Sequence, residues 1–268
     1  MGYMKNSMDC KIIFLGTAGS NATYQQLRSA GGMVLKFDDK QFHIDPGPGA
    51  LSSAREASVN LRETDAIFAT HNHLNHYNDV NAVINAMTYA GLDKAGTLIF
   101  SKSLSEARFF KDFLNEFSSL GPQQSKDFDE VTVRTLRTKH SDESAIGLKF
   151  TTPDLTITYT SDTGYSKDIL SDYKNSDILI LNNVHPAKTK KDSNNLSTED
   201  SIKILKVVKP SLAIIQHYGS KMYEANPLYE ARNIQKETDI QTIAAKDGLM
   251  INPLSKSVSL RQKSLSQY

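Results

Sequence analysis

The stretch Thr70-His71-Asn72-His73-Leu74-Asn75-His76 is the densest group of potential metal ligands in this sequence. It holds three of the seven histidines in a chain of 268 residues, and it directly follows the apolar run Ala66–Ala69. Alternate side chains of an extended segment point the same way, so the imidazoles of His71 and His73 can converge on one point beyond the strand end. With His76 close behind them, this spacing predicts metal ligands.

The composition is typical of a folded, soluble protein. Hydrophobic residues make up 39% and charged residues 23% of the chain, which excludes a mainly disordered protein. The formal net charge is only +1, so any nucleic-acid site must be local. The single cysteine, Cys10, excludes an internal disulfide and a cysteine metal cage. Because no apolar run approaches the roughly 18–20 residues that span a bilayer, we expect a cytoplasmic protein with no membrane association.

Short apolar strand patterns alternate with helical patterns along the chain. The strand patterns cluster twice, around Met33–Ile44 and Val131–Tyr159, and helix–strand alternation follows each cluster. This order predicts an αββα sandwich, in which two mixed β-sheets pack face to face with helices on both outer faces. Helices are predicted at Val80–Tyr89, which Asn78 or Asp79 could cap, and at Leu104–Phe117, Thr198–Val208 and Leu228–Lys236. No Gly/Ser-rich or Pro-rich linker separates the halves, so we expect one domain over residues 1–268.

Three further candidate ligands follow other apolar runs. His140, Asp162 and His217 each stand at the end of a predicted strand, where a loop can reach a shared cleft. Singly, each could be an ordinary polar strand end, but together they complete a ligand set. Imidazoles with a carboxylate suit Zn²⁺, and also iron or manganese. One or two such ions would lower the pKa of a bound water toward neutrality, so the pattern predicts a metal-dependent hydrolase.

These residues resemble the metallo-β-lactamase-fold hydrolase superfamily, in particular its ribonuclease Z and phosphodiesterase-like branch. The resemblance rests on segments in the same order along most of the chain: Phe14-Leu-Gly-Thr-Ala-Gly, His43-Ile-Asp45-Pro-Gly-Pro-Gly, the motif at 71–76, His140, Ser161-Asp162-Thr-Gly and Gln216-His217-Tyr218. It implies a first metal held by His71, His73 and His140. It also implies a second metal held by His76 and His217, with Asp162 bridging both.

Asp45 ends the strand that carries His43. The resemblance gives Asp45 the role of a carboxylate that orients a ligand loop, which such sites generally need. An Asx-type turn before Pro46-Gly47 explains the same residue equally well, and both can hold together.

Asn75 departs from the family motif, which has Asp between the second and third histidines. An amide offers a metal only a neutral oxygen, so we expect a weaker second site and an altered catalytic role at this position beside Asp162. Three explanations stay open: a single tightly bound metal, loss of catalysis with retained binding, or a deliberate Asp→Asn replacement. The intact histidines and Asp162 favour an enzyme with intact or weakened activity.

The intervals between the candidate ligands bear on the substrate. Asp162 follows His140 by only 22 residues, too few for the long tRNA-binding arm that related tRNA-maturing enzymes carry in this interval. We therefore expect a small-molecule or single-site substrate. The resemblance of Leu15-Gly-Thr and Ser161-Asp162-Thr-Gly to the phosphodiesterase-like branch implies a phosphodiester or other phosphoester, with nucleic acid as a further candidate. A lactone or carboxylic ester hydrolase and a non-catalytic metal-binding member are the alternatives. Since homodimers are the commonest assembly among soluble proteins, a homodimer is the assembly we expect.

Overall fold

The computed structural model of the protein describes residues 9–19, 26–187 and 194–260, so the predicted domain of residues 1–268 extends beyond these ranges. Fifteen strands are found there: β1 (Cys10–Phe14), β2 (Met33–Phe37), β3 (Lys40–Ile44), β4 (Ala66–Ala69), β5 (Thr97–Ser101), β6 (Glu116–Leu120), β7 (Ser125–Phe128), β8 (Val131–Arg137), β9 (Ile146–Thr151), β10 (Thr156–Tyr159), β11 (Ile178–Asn182), β12 (Leu212–Gln216), β13 (Thr242–Ala244), β14 (Leu249–Asn252) and β15 (Ser257–Leu260).

The strands form two mixed sheets. The first has the order β15-β14-β1-β2-β3-β4-β5-β6, and the second has the order β13-β12-β11-β10-β9-β8-β7. In each sheet a group of antiparallel strands adjoins a group of parallel ones, β3 to β6 in the first and β10 to β13 in the second. The two halves of the chain therefore repeat one plan, as the two strand clusters in the sequence predicted.

Helices cover the outer faces of both sheets. The α-helices are α1 (Ala50–Glu56), α2 (Leu74–Tyr77), α3 (Val80–Thr88), α4 (Thr198–Val208), α5 (Ser220–Ala225) and α6 (Pro227–Thr238). Short 3-10 helices span Leu61–Glu63, Lys102–Leu104, Lys111–Phe113 and Lys167–Tyr173. One apolar cluster joins α1 and α3 to the first sheet, and another joins α4, α5 and α6 to the second. The predicted αββα sandwich is confirmed.

Phenylalanine side chains join the inner faces of the two sheets. The ring of Phe150 in the second sheet lies 5.6 Å from the rings of both Phe42 and Phe68 in the first, measured between centroids. Phe128 adds a contact at 5.2 Å to Phe42. Each such pair contributes about 0.5–1.5 kcal/mol beyond the burial of its surface. This shared core fixes the sheets so that their parallel strands end at a common edge.

The prediction of a helix at Leu104–Phe117 is wrong. The structure has the 3-10 turns Lys102–Leu104 and Lys111–Phe113 there, followed by strand β6. Residues 116–120 of β6 pair in parallel with 97–101 of β5, and the ring of Phe117 packs 4.5 Å from that of Phe100. Hydrogen bonds between β5 and β6 thus satisfy backbone N–H and C=O groups that a helix would have satisfied internally. Tertiary pairing overrides the local helical preference that the apolar spacing indicates.

Asp79 precedes α3 but has a different task from the capping predicted for it. Its carboxylate accepts hydrogen bonds from the backbone N–H groups of Gly49 and Ala50, at 2.9 and 3.0 Å, at the start of α1. The first loop after β3 is thereby tied to the chain that follows the histidine motif. Within the described ranges, none of the helices has the length and apolar character that crossing a membrane needs.

Candidate metal centre

The histidine motif begins where the buried strand β4 ends. His71 is fully buried, His73 is extended at φ −106° and ψ 133°, and α2 begins at the next residue. The helical turn carries Asn75 and His76 back toward the strand end, where both are buried. A strand followed at once by one helical turn therefore brings the imidazoles of the motif to one place.

Four of the predicted residues form a first set. Their candidate ligand atoms lie within 4.8 Å of one another. His73 Nδ1 is 3.0 Å from His71 Nε2 and 3.2 Å from His140 Nε2. The Oδ2 atom of Asp162 lies 3.7 Å from His71 Nε2 and 4.0 Å from His140 Nε2. Three imidazoles and a carboxylate are a donor set that suits zinc and other divalent transition metals.

A second set shares Asp162 with the first. His76 Nε2 lies 3.5 Å from Asp162 Oδ2, and His217 Nε2 lies 3.2 Å from Asp162 Oδ1. The ligand atoms of these three residues also lie within 4.8 Å of one another. The structure therefore brings together all six residues that the sequence predicted as ligands, and Asp162 stands between the two sets.

The outer ring nitrogens fix which inner nitrogens carry lone pairs. His140 Nδ1 lies 2.9 Å from the carbonyl oxygen of Asn194, which can only accept, so this nitrogen carries the hydrogen. His71 Nδ1 lies 3.1 Å from Thr70 Oγ1, whose own hydrogen goes to Asp45, so His71 also donates on this side. The remaining ring nitrogens, Nε2 of His71 and Nε2 of His140, both face His73 Nδ1. A hydrogen on His73 Nδ1 can be donated to only one of these two nitrogens, His71 Nε2 or His140 Nε2.

The second set has buried nitrogens that lack hydrogen-bond partners. His76 Nε2 and His217 Nε2 make no aligned hydrogen bond with any group in the described part of the chain, although oxygens of Asp162 lie 3.5 and 3.2 Å away. Buried polar atoms rarely lack a hydrogen-bond partner unless they have a functional role or bind an ion. The donors of both sets therefore fit divalent cations, whose binding would satisfy these atoms.

Burial and charge shift the ionisation of these groups in opposite directions. Burial lowers the pKa of His71 well below its usual value, and that of His73 less strongly. Burial also disfavours a charge on His76, but the carboxylates of Asp162 and Asp45 outweigh it and raise the pKa of His76 to about 10. Burial opposes ionisation of Asp162 too, yet His217 and His76 hold its pKa well below the usual range. The imidazoles of His71 and His73 are thus neutral and able to bind a cation beside the ionised Asp162, whereas a cation in the second set competes with the proton on His76.

Asp45 connects the histidine motif to the sheet behind it. Its carboxylate accepts hydrogen bonds from the N–H and hydroxyl of Thr70, at 2.8 and 2.9 Å. Its Oδ2 also accepts from His76 Nδ1 and from Tyr159 Oη, both at 2.9 Å. Asp45 adopts φ 52°, and the N–H of Gly47 donates to its backbone carbonyl rather than to its carboxylate, so the chain turns here without the predicted Asx-type bond. The carboxylate therefore holds His76 with Nε2 turned inward, the arrangement that the resemblance implies.

Asn75 lies beside the second set, with only 6% of its surface exposed. Its Nδ2 finds no hydrogen-bond partner among the described residues. Together with His76, His217 and Asp45 it lines a cavity of about 20 Å³ behind the site. A space of this size holds about one water molecule. The amide thus lies beside His76 and His217, at the position for which the resemblance implies a carboxylate.

Several residues of the site are missing from the sequence prediction. Tyr159, Asn182 and Gln216 end β10, β11 and β12 and contact one another or the carboxylates of the site. Asp142 accepts a hydrogen bond from the N–H of Asn72 at 2.9 Å and so ties the loop after His140 to the motif. In the sequence Tyr159, Asn182 and Gln216 share only a position at the carboxyl ends of strands, which does not by itself single them out.

His43 does not take part in the site. Its Nε2 donates to the carbonyl oxygen of Gly31 at 2.9 Å in the buried interior of the first sheet. Burial lowers its pKa to about 4, so the ring is neutral.

Comparison with known proteins shows the family to which the chain belongs. The family described as "Beta-lactamase superfamily domain" matches residues 40–218. An uncharacterized protein of Methanocaldococcus jannaschii is 32% identical over 260 residues, covering 92% of this chain and 97% of that protein. The ribonuclease Z of Thermoplasma acidophilum is 27% identical over 138 residues, which is 48% of this chain and 44% of that enzyme.

Two crystal structures have the same fold. The metallo-β-lactamase fold protein YhfI of Bacillus subtilis has a TM-score of 0.77 at 18% identity and covers 90% of this chain and 98% of its own. A diphosphatase of the PhnP family has a TM-score of 0.69 at 15% identity, with 91% and 97% covered. The chain therefore belongs to the β-lactamase superfamily, as the histidine motif predicted, and it is similar to the ribonuclease Z branch of that superfamily.

Proposed function

We propose that this protein is a metal-dependent hydrolase that cleaves phosphodiesters or other phosphoesters. The observation that carries the proposal is the convergence of five histidines on the buried Asp162 in two adjoining ligand sets. Zinc is the metal we propose, and iron or manganese would suit the same donors. A divalent ion held there supplies a water that ionises near neutral pH and an electrophile for the oxygen under attack.

The residues of the chain itself supply orientation and charge. Asp162 presents oxygens to both sets, and Asp45 keeps the Nδ1 hydrogen of His76 on the outer side. The backbone carbonyl of Asn194 does the same for His140. Leu74 is half exposed next to the partly exposed His73, so this side of the site is open to a substrate.

The charge of the site favours an anionic substrate. Among the described residues, Asp162 and Asp45 are the carboxylates that contact the ligand histidines of the second set, and Asn75 adds no charge where the family has a carboxylate. One or two divalent ions would leave such a site neutral or cationic, so a phosphodiester anion gains more from binding than a neutral lactone does. The similarity to ribonuclease Z supports the same choice.

The segment between His140 and Asp162 supports a compact or single-site substrate. It contains β9 and β10 of the second sheet and the turn that joins them. The residues of this interval are thus part of the sandwich rather than a protruding arm. Nucleic acid would have to bind close to the site itself, where a single scissile bond is recognised. We include a homodimer in the proposal because homodimers are the commonest assembly of soluble proteins. Such a dimer would widen this surface.

The test is hydrolysis of bis-p-nitrophenyl phosphate by the zinc-loaded chain, compared with p-nitrophenyl acetate and a lactone. We expect cleavage of the phosphodiester, loss of activity with a chelator, and recovery with added metal. His73→Ala should reduce the rate at least about 100-fold while the protein stays folded. Cleavage of the carboxylic esters alone would replace the phosphoester with the ester alternative. Metal binding without turnover of any substrate would identify a non-catalytic member.

A further inference from the structure

A buried chain of hydrogen bonds connects the two carboxylates of the site. Asn182 Nδ2 donates to Asp162 Oδ1 at 2.6 Å and to Tyr159 Oη at 3.0 Å. Tyr159 Oη in turn donates to Asp45 Oδ2 at 2.9 Å. The Oδ1 atom of Asn182 accepts from Gln216 Nε2 at 3.1 Å. Asn182 thus links Asp162 with the carboxylate that holds His76.

Asn182 is held firmly enough to set the orientation of a neighbour. It is fully buried, and Tyr159 and Asp162 are each 2% exposed, so water does not compete for these bonds. The parallel register of β11 and β12 pairs Asn182 with Gln216. Both hydrogens and the oxygen of the amide are therefore used on partners that two strands fix in place.

We propose that Asn182 is a positioning residue for Asp162 and thereby for both metal-ligand sets. The amide holds Oδ1, and the other oxygen, Oδ2, then lies toward His71 and His76, at 3.7 and 3.5 Å. An amide does this without adding a charge, which a carboxylate or a lysine at the same place would add. The inference rests on the proposed function only in that the site binds metal ions, and it concerns how the shared ligand is oriented.

Loss of this bond has a consequence that a purely structural role does not have. Without the amide, the Asp162 carboxylate can rotate about its Cβ–Cγ bond and present neither oxygen consistently to the two sets. Partners that orient a ligand typically contribute 10- to 100-fold to metal affinity. A residue that serves only the stability of β11 would lower the midpoint of unfolding and leave the metal affinity of the folded protein unchanged.

The neighbouring Asn183 offers a matched control. It is equally buried, and its side chain bonds Thr198 Oγ1 at 3.2 Å and Ser201 Oγ at 2.6 Å. Replacing it removes the same amide from the same strand end but leaves the bond to Asp162 in place.

The experiment measures Zn²⁺ affinity by competition with a chromophoric chelator, and the absorption spectrum of the Co²⁺-loaded protein, for wild type, Asn182→Ala and Asn183→Ala. We expect Asn182→Ala to lose about 10- to 100-fold in affinity and to change the Co²⁺ spectrum, with Asn183→Ala close to wild type. Asn182→Leu, which keeps the side-chain size, serves if the alanine variant does not fold. Equal affinities and spectra in the Asn182 and Asn183 variants would overturn the proposal.

The two proposals fail in different ways. If wild type binds zinc but hydrolyses no ester, the proposed function is wrong, while the affinity comparison still decides the role of Asn182. If wild type hydrolyses phosphodiesters and Asn182→Ala binds zinc as tightly as Asn183→Ala, the positioning role is wrong and the proposed function stands.

Discussion

Gly47 lies directly against the backbone carbonyl of Asn75, so that a methyl group at position 47 would overlap its oxygen and carbon atoms. The loop after β3 therefore packs on the one-turn helix α2 of the histidine motif. The glycine of the Asp45-Pro-Gly segment has a physical reason here. A side chain at position 47 would push the motif away from Asp45.

We predict that Gly47→Ala lowers the free energy of unfolding by about 1–3 kcal/mol, because the backbone it meets cannot move aside cheaply. Zinc affinity should fall as well, since Asn75 and His76 would shift together. Chemical denaturation and zinc titration measure the two effects. Gly121→Ala is the control, because a Cβ at Gly121 meets only Gln124 at 3.9 Å. Equal stability of the two variants would contradict the close packing.

Asp45→Asn should weaken zinc binding about 10- to 100-fold. The amide has one acceptor oxygen for the four hydrogens that Thr70, His76 and Tyr159 donate, and its own NH₂ would face some of them. Competition with a chelator gives the affinity. Asp65→Asn is a suitable control, since Asp65 accepts from the N–H of Gln41 at the opposite end of β3. An unchanged affinity in Asp45→Asn would remove Asp45 from the site.

Asn75→Asp should strengthen the second site. Asp162 is the only carboxylate in the two ligand sets of the described residues, and a further carboxylate beside His76 and His217 increases the affinity for a second cation. Zinc titration should show a second equivalent bound at least about 10-fold more tightly than in wild type. Asn72→Asp adds the same charge at an exposed position of the motif and separates a general charge effect from ligation. Two equally tight zinc ions in wild type would show that the amide suffices.

The buried His43 should make the folded protein less stable in acid. Burial lowers its folded pKa to about 4 from 6.5, so between these values the unfolded chain binds a proton that the folded chain does not. Its stabilising effect is complete above pH 6.5 and is lost as the pH falls toward 4, by up to about 3 kcal/mol. His43→Gln should flatten this part of the stability curve. Identical slopes of unfolding free energy against pH in both proteins would count against a neutral buried His43.

The strands that carry the ligands could be predicted because buried apolar runs end at polar residues. The run at 66–69 before His71 and the run before His217 are β4 and β12 in the structure. The edge strands β6 and β7 escaped prediction because neither contains a buried apolar run. β7 reads Ser-Lys-Asp-Phe, and the apolar spacing before β6 imitates a helix until pairing with β5 is known.

The six candidate ligands could be found from the sequence because imidazole and carboxylate groups stand out at strand ends. Asn182 and Tyr159 could not, since a neutral polar residue at the end of a strand has no chemistry of its own. Only the register that sets β10, β11 and β12 side by side shows that they reach Asp162 and Asp45.

Metal binding by the residues that converge on Asp162 is the property from which the proposed chemistry follows. Elemental analysis of the wild-type chain, purified without added metal and compared with His71→Ala, tests this in one measurement. We predict at least one zinc, iron or manganese ion per wild-type chain and a marked loss in His71→Ala. A folded wild-type chain that carries no divalent ion, and takes up none when zinc is added, would contradict the proposed metal centre.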